Sequence, residues 1–383
     1  MDWIVCTTIN EPTFLWDYHE NLKKFGNLDK VGVVVVGDQK EHENARKVIA
    51  DVQAAGLTVE YLDVAKQEAY LAKWPEVAAI IPWKSDNRRN VGYLWAVEHG
   101  AERVISIDDD NFPLKDENFY GAHSVVGASE RLHTIKSENN WVNICRLLDF
   151  NYPVPVYPRG FPHKRRFKDT FDVRFLAGFE KEDAKRITLS AGLWTEDPDV
   201  DAITRLTLPV QGEKYNQGDQ QFVLGTGQSC PINTQNTCFH RDVLPAYYFV
   251  LMSEQGEGNF LIHRFGDIWS GFFAKKVVDA MGDAAAIGRP VCSHRRNVHD
   301  ILDDLRVEMN GMLLTEKLCD FLEEVTLTRT ESYCDAYEEL AEKLRMWVEG
   351  KREELAEPEF TYMLRVTDCM KVWCGVSRKI LAQ

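Results

Sequence analysis

The chain has 383 residues, of which 44% are hydrophobic and 11% aromatic, and it carries a formal net charge of −15. That composition builds a globular core and excludes disorder, and without a local basic patch the acidic balance excludes a nucleic-acid backbone or an anionic membrane as a partner. Its nine cysteines show no C-x-x-C pair and no zinc spacing, which fits small core residues in a reducing compartment.

The first residues, M-D-W-I-V-C-T-T, lack the basic flank and apolar length of a signal peptide. I-V-C-T-T-I reads as a strand from the first residues, and an aromatic-rich helix is predicted over Phe14 to Lys24. K-V-G-V-V-V-V-G-D is a continuous β-branched run between turn signals, as in a strand buried on both faces. A helix over His42 to Ala55, a strand in L-T-V-E-Y-L-D-V and a helix over Lys66 to Lys73 follow. A-A-I-I-P-W reads as a strand or a loop, and Asn90 to His99 as a helix with Gly100 as its cap.

V-I-S-I-D-D-D-N-F comes next, and it is the most informative run in the chain. Val104 to Ile107 form a short buried strand, and Asp108, Asp109 and Asp110 sit where it runs out. Carboxylates this dense repel one another. A hard divalent cation relieves that repulsion, and Mg²⁺ or Mn²⁺ with oxygen ligands implies a diphosphate partner. A solvated acidic turn is the plainer alternative. Alternating strands and helices over the first ~110 residues predict an α/β domain with a mostly parallel sheet, whose ligands bind at the strands' carboxyl ends.

Flanking residues extend that site. Arg88 and Arg89 are placed to meet a phosphate or sugar hydroxyl, with Asn90 as a helix cap. Thr8, Asn10 and Asp38 end the first two strands, where a base and ribose would lie. His294, after the strand-like V-C of V-C-S-H-R-R, is the candidate third metal ligand beside Asp108 and Asp110. Each of these has a structural alternative as a cap, turn or core hydrogen-bonding residue. Phe119 to Pro290 is irregular and rich in Pro, Gly and aromatics. Beyond Thr315 a Glu/Leu/Lys pattern predicts helix, as in Ala336 to Leu355, ending near Pro358. The expected division is therefore a domain over residues 1–314 and a helical extension over 315–383, the latter suited to packing or homo-oligomer formation. No segment reaches the ~20 apolar residues of a membrane helix, and a cytoplasmic protein is expected.

Three later runs carry a resemblance: G-L-W-T-E-D-P-D-V-D-A, N-T-Q-N-T-C-F-H-R-D-V-L-P-A-Y-Y-F-V-L-M and R-F-G-D-I-W-S-G-F. In this order they are similar to the reversibly glycosylated polypeptides, glycosyltransferase family 75, which includes the UDP-arabinopyranose mutases. The likeness runs from about Val104 to Gly311. It implies a GT-A, Rossmann-like fold, binding of a UDP-sugar (a GDP-sugar being the variant) with Mn²⁺ or Mg²⁺, and reversible attachment of one sugar to the protein. By the same resemblance the self-glycosylated arginine is Arg159, in P-R-G-F, and Asp199, Asp201 and Asp267 are candidates to activate it. Asn236 matches an asparagine near the sugar, and Trp194 and Trp269 are positions for stacking or core packing. The chain departs from the family pattern at Phe161, at Gly266-Asp267, at Thr234-Gln235 and in the basic H-K-R-R-F-K after Arg159. The leading expectation is a metal-dependent glycosyltransferase with self-glycosylation and slow donor hydrolysis. A UDP-arabinopyranose mutase, a nucleotidyltransferase and a non-catalytic nucleotide-sugar-binding subunit are the alternatives.

Overall fold

A computed structural model describes residues 1–168, 170, 183–252, 260–298 and 300–383. The first third alternates as expected: β1 (Asp2–Thr7), α1 (Phe14–Lys24), β2 (Val31–Val36), α2 (Ala45–Ala54), β3 (Val59–Leu62), α3 (Val64–Leu71), a single turn α4 (Pro75–Ala78), α5 (Arg89–Glu98) and β4 (Arg103–Asp108). Residues 78–83 form no strand: Ala78 ends α4, and the chain then turns past Pro82. Gly100 adopts φ 83 just beyond α5, as expected of a helix terminator.

The irregular middle supplies β5 (Asn111–Pro113), α6 (Phe119–His123), β6 (Ser129–Glu130), β7 (His133–Ile135), β8 (Leu148–Phe150), β9 (Lys185–Glu196), α7 (Ala202–Thr207), β10 (Gly212–Tyr215), β11 (Phe222–Leu224) and β12 (Asn236–His240). Then come α8 (Gly266–Ala280), β13 (Ala284–His294), α9 (Ile301–Glu324), α10 (Tyr333–Gly350) and α11 (Glu357–Leu381). Pro358 opens α11 instead of closing the helix before it, because a first-turn proline gives up no helical hydrogen bond. α9 runs unbroken through residues 314 and 315, so the backbone has no break at the expected division.

The main sheet has the order β3-β2-β1-β4-β12-β9-β13-β11-β7. β3, β2, β1 and β4 are parallel, β12 runs antiparallel between β4 and β9, and β13 is parallel to β9. This is the Rossmann-like α/β architecture expected. Alternate residues of the central strands enter two separate apolar clusters. Ile4, Cys6, Val33 and Ile105 pack under α1 and α2, whereas Val5, Val34 and Val104 pack with α5, α8, α10 and α11.

Candidate active site

The strand directions gather one edge of the sheet. β1, β2, β4, β9 and β13 all end there, and antiparallel β12 starts there, with Asn236 opposite Ile107. The loops leaving that edge enclose a cavity of about 1160 Å³, lined among others by Thr8, Asn10, Asp38, Arg88, Arg89, the aspartate triplet, Arg159, Asp199, Asp267 and His294. Most of the residues singled out in the sequence therefore share one space.

The three aspartates have different partners. Asp108 is held by Arg89 at 2.6 Å; burial of Arg89 opposes its charge, and Asp108, Tyr93, Cys6 and Asp86 together outweigh that burial and raise its pKa. Asp109 accepts from Thr8 Oγ1 (2.5 Å) and Asn10 Nδ2 (2.9 Å). Burial raises its pKa, the neighbouring aspartates add to that rise, and the Thr8 and Asn10 hydrogen bonds offset part of it. Asp110 faces His294 Nε2 at 3.4 Å, and despite burial its pKa is held below the usual value by His294 and the backbone of Asn297. β5 makes this pairing: it is antiparallel to the end of β13 and sets His294 opposite Asn111.

The chemistry of that pair bears on a metal. His294 Nδ1 donates to the carbonyl of Asp197 at 2.6 Å, which orients Nε2 toward Asp110. A carbonyl-anchored imidazole facing a carboxylate is a donor pair that suits a divalent cation. Asp110 and His294 therefore fit such an ion. Asp108 does not join them, since it is turned to Arg89, and among the described residues no three His, Cys, Asp or Glu side chains converge on a metal position. The three-ligand set expected from sequence is thus assembled as two.

The second cluster surrounds Arg159, which is buried. Its Nε and one terminal nitrogen donate to Asp199 (2.8 and 3.1 Å), and both terminal nitrogens donate to Asp267 (3.1 and 2.7 Å). Its backbone N–H also donates to the carbonyl of Asp199 at 2.8 Å. Gly160, at φ 84, makes this loop possible. A Cβ there would lie 2.4 Å from Ile268 on α8. Burial works against the guanidinium's charge, but the two carboxylates hold its pKa well above the ordinary value. Asp199 resists burial and stays low through Arg159 and Asn233, which donates to it at 2.7 Å. Asp267 is raised by burial, against the pull of Arg159.

Other expectations are corrected. Asp201 does not reach Arg159: it caps α7 by accepting from Thr204 N (2.8 Å) and pairs with Arg166. Asn236 is fully buried, bonded to His123 and to the carbonyls of Leu193 and Pro290, and it does not line the cavity. Asn90 lies inside α5 and is no cap, binding both polar backbone atoms of Phe249 instead. Arg88 reaches the cavity wall, but its head is bound to Gln67 and stacked 3.6 Å over Trp83. Of the two roles expected for Trp194 and Trp269, both residues take core packing and not stacking, the latter donating to Thr315. In the basic stretch, Arg165 pairs with Asp320 and Glu323, and Arg166 with Asp201. Asp38 lines the cavity while accepting from the N–H groups of Gln39 and Ser85.

Sequence reasoning missed Asn297, whose side chain reaches Asp109 (3.3 Å) and Asp110 (3.4 Å), and the cavity residues Lys40 and Lys84; Thr234 and Gln235, noted only as departures from the family pattern, also line the cavity. Among the described residues Lys40 and Lys84 have no ion-pair partner. Lys84 also holds a left-handed φ of 58, which is uncommon for a residue with a Cβ. A signal existed for Asn297 alone, three residues after the candidate ligand His294.

A family model described as reversibly glycosylated polypeptide matches residues 56–381, a wider span than the sequence motifs cover. A probable UDP-arabinopyranose mutase 1 of Zea mays is 25% identical over 298 residues, covering 77% of this chain and 72% of that one. UDP-arabinopyranose mutase 3 of Arabidopsis thaliana is 27% identical over 270 residues, covering 70% and 67%. Among solved structures, glucosyl-3-phosphoglycerate synthase from Mycobacterium tuberculosis with Mn²⁺ and UDP-glucose is 12% identical with a TM-score of 0.38, covering 82% and 78%. A mannosyltransferase from Pyrobaculum calidifontis with GDP-mannose and Mn²⁺ is 12% identical with a TM-score of 0.33, covering 99% and 86%.

Proposed function

The chain belongs to the reversibly glycosylated polypeptide family, and on that premise we propose that it binds a nucleotide diphosphate sugar, UDP-linked, and transfers the sugar through Arg159. One observation carries the reading. Arg159, gripped by Asp199 and Asp267, shares a cavity with the aspartate triplet and His294. Thr8, Asn10 and Asp38 mark the nucleotide end, with Lys40 and Lys84 as cations to offset the diphosphate.

Asp110 and His294 would hold Mn²⁺ or Mg²⁺, which when bound supplies positive charge against the leaving diphosphate. The protein's own residues do the rest. A protonated guanidinium is no nucleophile, so its N–H proton must leave as the bond to the sugar forms. Asp199 stays ionised and fixes the plane of the group. Asp267, raised by burial, is the better proton acceptor. The arginine nitrogen bonds to C1, the bond from C1 to the diphosphate oxygen breaks with its electron pair going to the diphosphate, and the proton passes to Asp267. In reverse, a diphosphate oxygen of UDP bonds to C1 as the C1–N bond breaks, and Asp267 returns its proton to the arginine. Water in place of the nitrogen gives slow donor hydrolysis.

The names of the relatives favour a second reading, a mutase, in which the released UDP recaptures the sugar in another ring form. Incubation with a panel of UDP-sugars and Mn²⁺, followed by intact-mass measurement, tests the proposal. One sugar mass should be added on the peptide containing Arg159, excess UDP should remove it, and Arg159→Lys should abolish it. Labelling that persists in Arg159→Lys refutes the arginine assignment. Conversion of UDP-arabinopyranose to the furanose form in the same incubations selects the mutase reading.

A further inference from the structure

Self-glycosylation leaves one wall of the cavity without a task. Arg264 and Arg296 line it, together with Asp304 on α9. Arg264 is bonded through Nε to Glu308 at 2.7 Å, and its nearest terminal nitrogen stands 3.8 Å from Asp304, beyond hydrogen-bond distance. Arg296 is bonded through one terminal nitrogen to Asp304 at 2.5 Å. Among the described residues neither side chain has another hydrogen bond, so each guanidinium keeps a terminal nitrogen free. Arg264 adopts a left-handed φ of 63, a conformation found at sites where the fold over-determines a residue's position. Planar guanidinium forks with open edges recognise carboxylate and phosphate oxygens. The nucleotide end has cations of its own in Lys40, Lys84 and Arg89, so the diphosphate does not require this pair.

We propose that the cavity takes a second anionic molecule beside the nucleotide sugar: a small hydroxy compound whose carboxylate or phosphate is held by Arg264 and Arg296 and whose hydroxyl receives the sugar. This rests on the glycosyl-transfer reading above. In this transfer the acceptor oxygen takes the place of the Arg159 nitrogen: it bonds to C1 as the bond from C1 to the diphosphate breaks with its pair going to the diphosphate. The hydroxyl proton passes to a cavity carboxylate.

Calorimetric titration of inorganic phosphate, glycerol 3-phosphate, glycerate and glycerol into the full chain saturated with UDP and Mn²⁺ tests the site. The two organic anions should bind and glycerol should not. Binding of inorganic phosphate as tight as that of glycerol 3-phosphate would reduce the site to one for free phosphate and overturn the acceptor assignment. Arg296→Gln should weaken the organic anions by about tenfold or more, the effect of one charge-assisted pair. Arg264→Gln would strand buried Glu308, so Arg264→Lys is the second variant, keeping the charge and losing the fork. Equal anion affinity in both variants, or no anion binding to the unaltered protein, overturns the proposal. So does displacement of UDP by the anions, or a parallel loss of UDP affinity in Arg296→Gln, since either assigns the arginines to the diphosphate. If UDP itself fails to bind, the donor reading falls, and the same anion titrations without UDP still judge the two arginines.

Discussion

His294 shows how one backbone carbonyl decides what a side chain can do. With Nδ1 bonded to Asp197, only Nε2 is left to meet Asp110. Replacing either residue by Ala should cut the Mn²⁺-enhanced part of UDP affinity by about 10- to 100-fold, the usual loss at a metal's ligands and their supports. Metal-free UDP affinity should change little. Calorimetry with and without Mn²⁺ reads both, and equal metal enhancement in His294→Ala would return that residue to a structural role. Much of this cluster was legible because dense acids and a histidine stand at strand ends, where burial and repulsion demand an explanation. Asp201, Asn236 and Asn90 misled for a physical reason. Polar residues beside a site are also needed to tie down its loops, and a sequence does not say which way each side chain turns. Lys84 was illegible because its signal is a backbone angle.

Elements were legible in proportion to their burial. α1 was predicted to its end residues, and β2, a continuous valine run, to within one or two. The short strands β5 to β8 escaped notice because they are two or three residues long and owe their pairing to distant partners. α10 offers a test at this scale. Its Glu339 accepts from the backbone N–H groups of Thr328 (2.7 Å) and Arg329 (2.8 Å), and pairs with Lys343 (2.8 Å), which anchors the connection from α9. Although burial opposes its charge, these partners bring its pKa down to about 2. A carboxylate lowered in the folded state contributes stability fully above its unfolded value of about 4.3 and loses it as pH falls toward 2. Glu339→Gln should therefore lower stability at pH 7 by about 1–3 kcal/mol. It should also flatten the decline between pH 4.3 and 2, as read by urea melts across that range. An unchanged acid limb would show that Glu339 is not the linked group.

At the scale of the molecule, the helical C-terminal part is not an appendage. Tyr362 donates to the carbonyl of Leu251 (2.7 Å), Trp373 donates to that of Leu244 (2.8 Å), and α10 and α11 share one apolar cluster with the sheet. The texture change beyond Thr315 reported helix correctly, but pattern alone does not reveal what a helix packs upon. Truncation after residue 314 would cut α9 and uncover that cluster. The shortened chain should lose cooperative thermal unfolding and precipitate. A soluble fragment that still binds UDP would refute this view of the core.

The same edge of the sheet that assembles the cavity also sets when it can exist. Thr8 meets Asp109 across 101 residues, Arg159 meets Asp267 across 108, and Asn297 meets Asp109 across 188. Each closure costs chain entropy before any contact repays it, and such topologies fold slowly. During synthesis the aspartate triplet leaves the ribosome long before His294 and Asn297 do. No early intermediate can hold the completed site, and the nascent chain has to carry its acidic turn without those partners until three quarters of its length has been made.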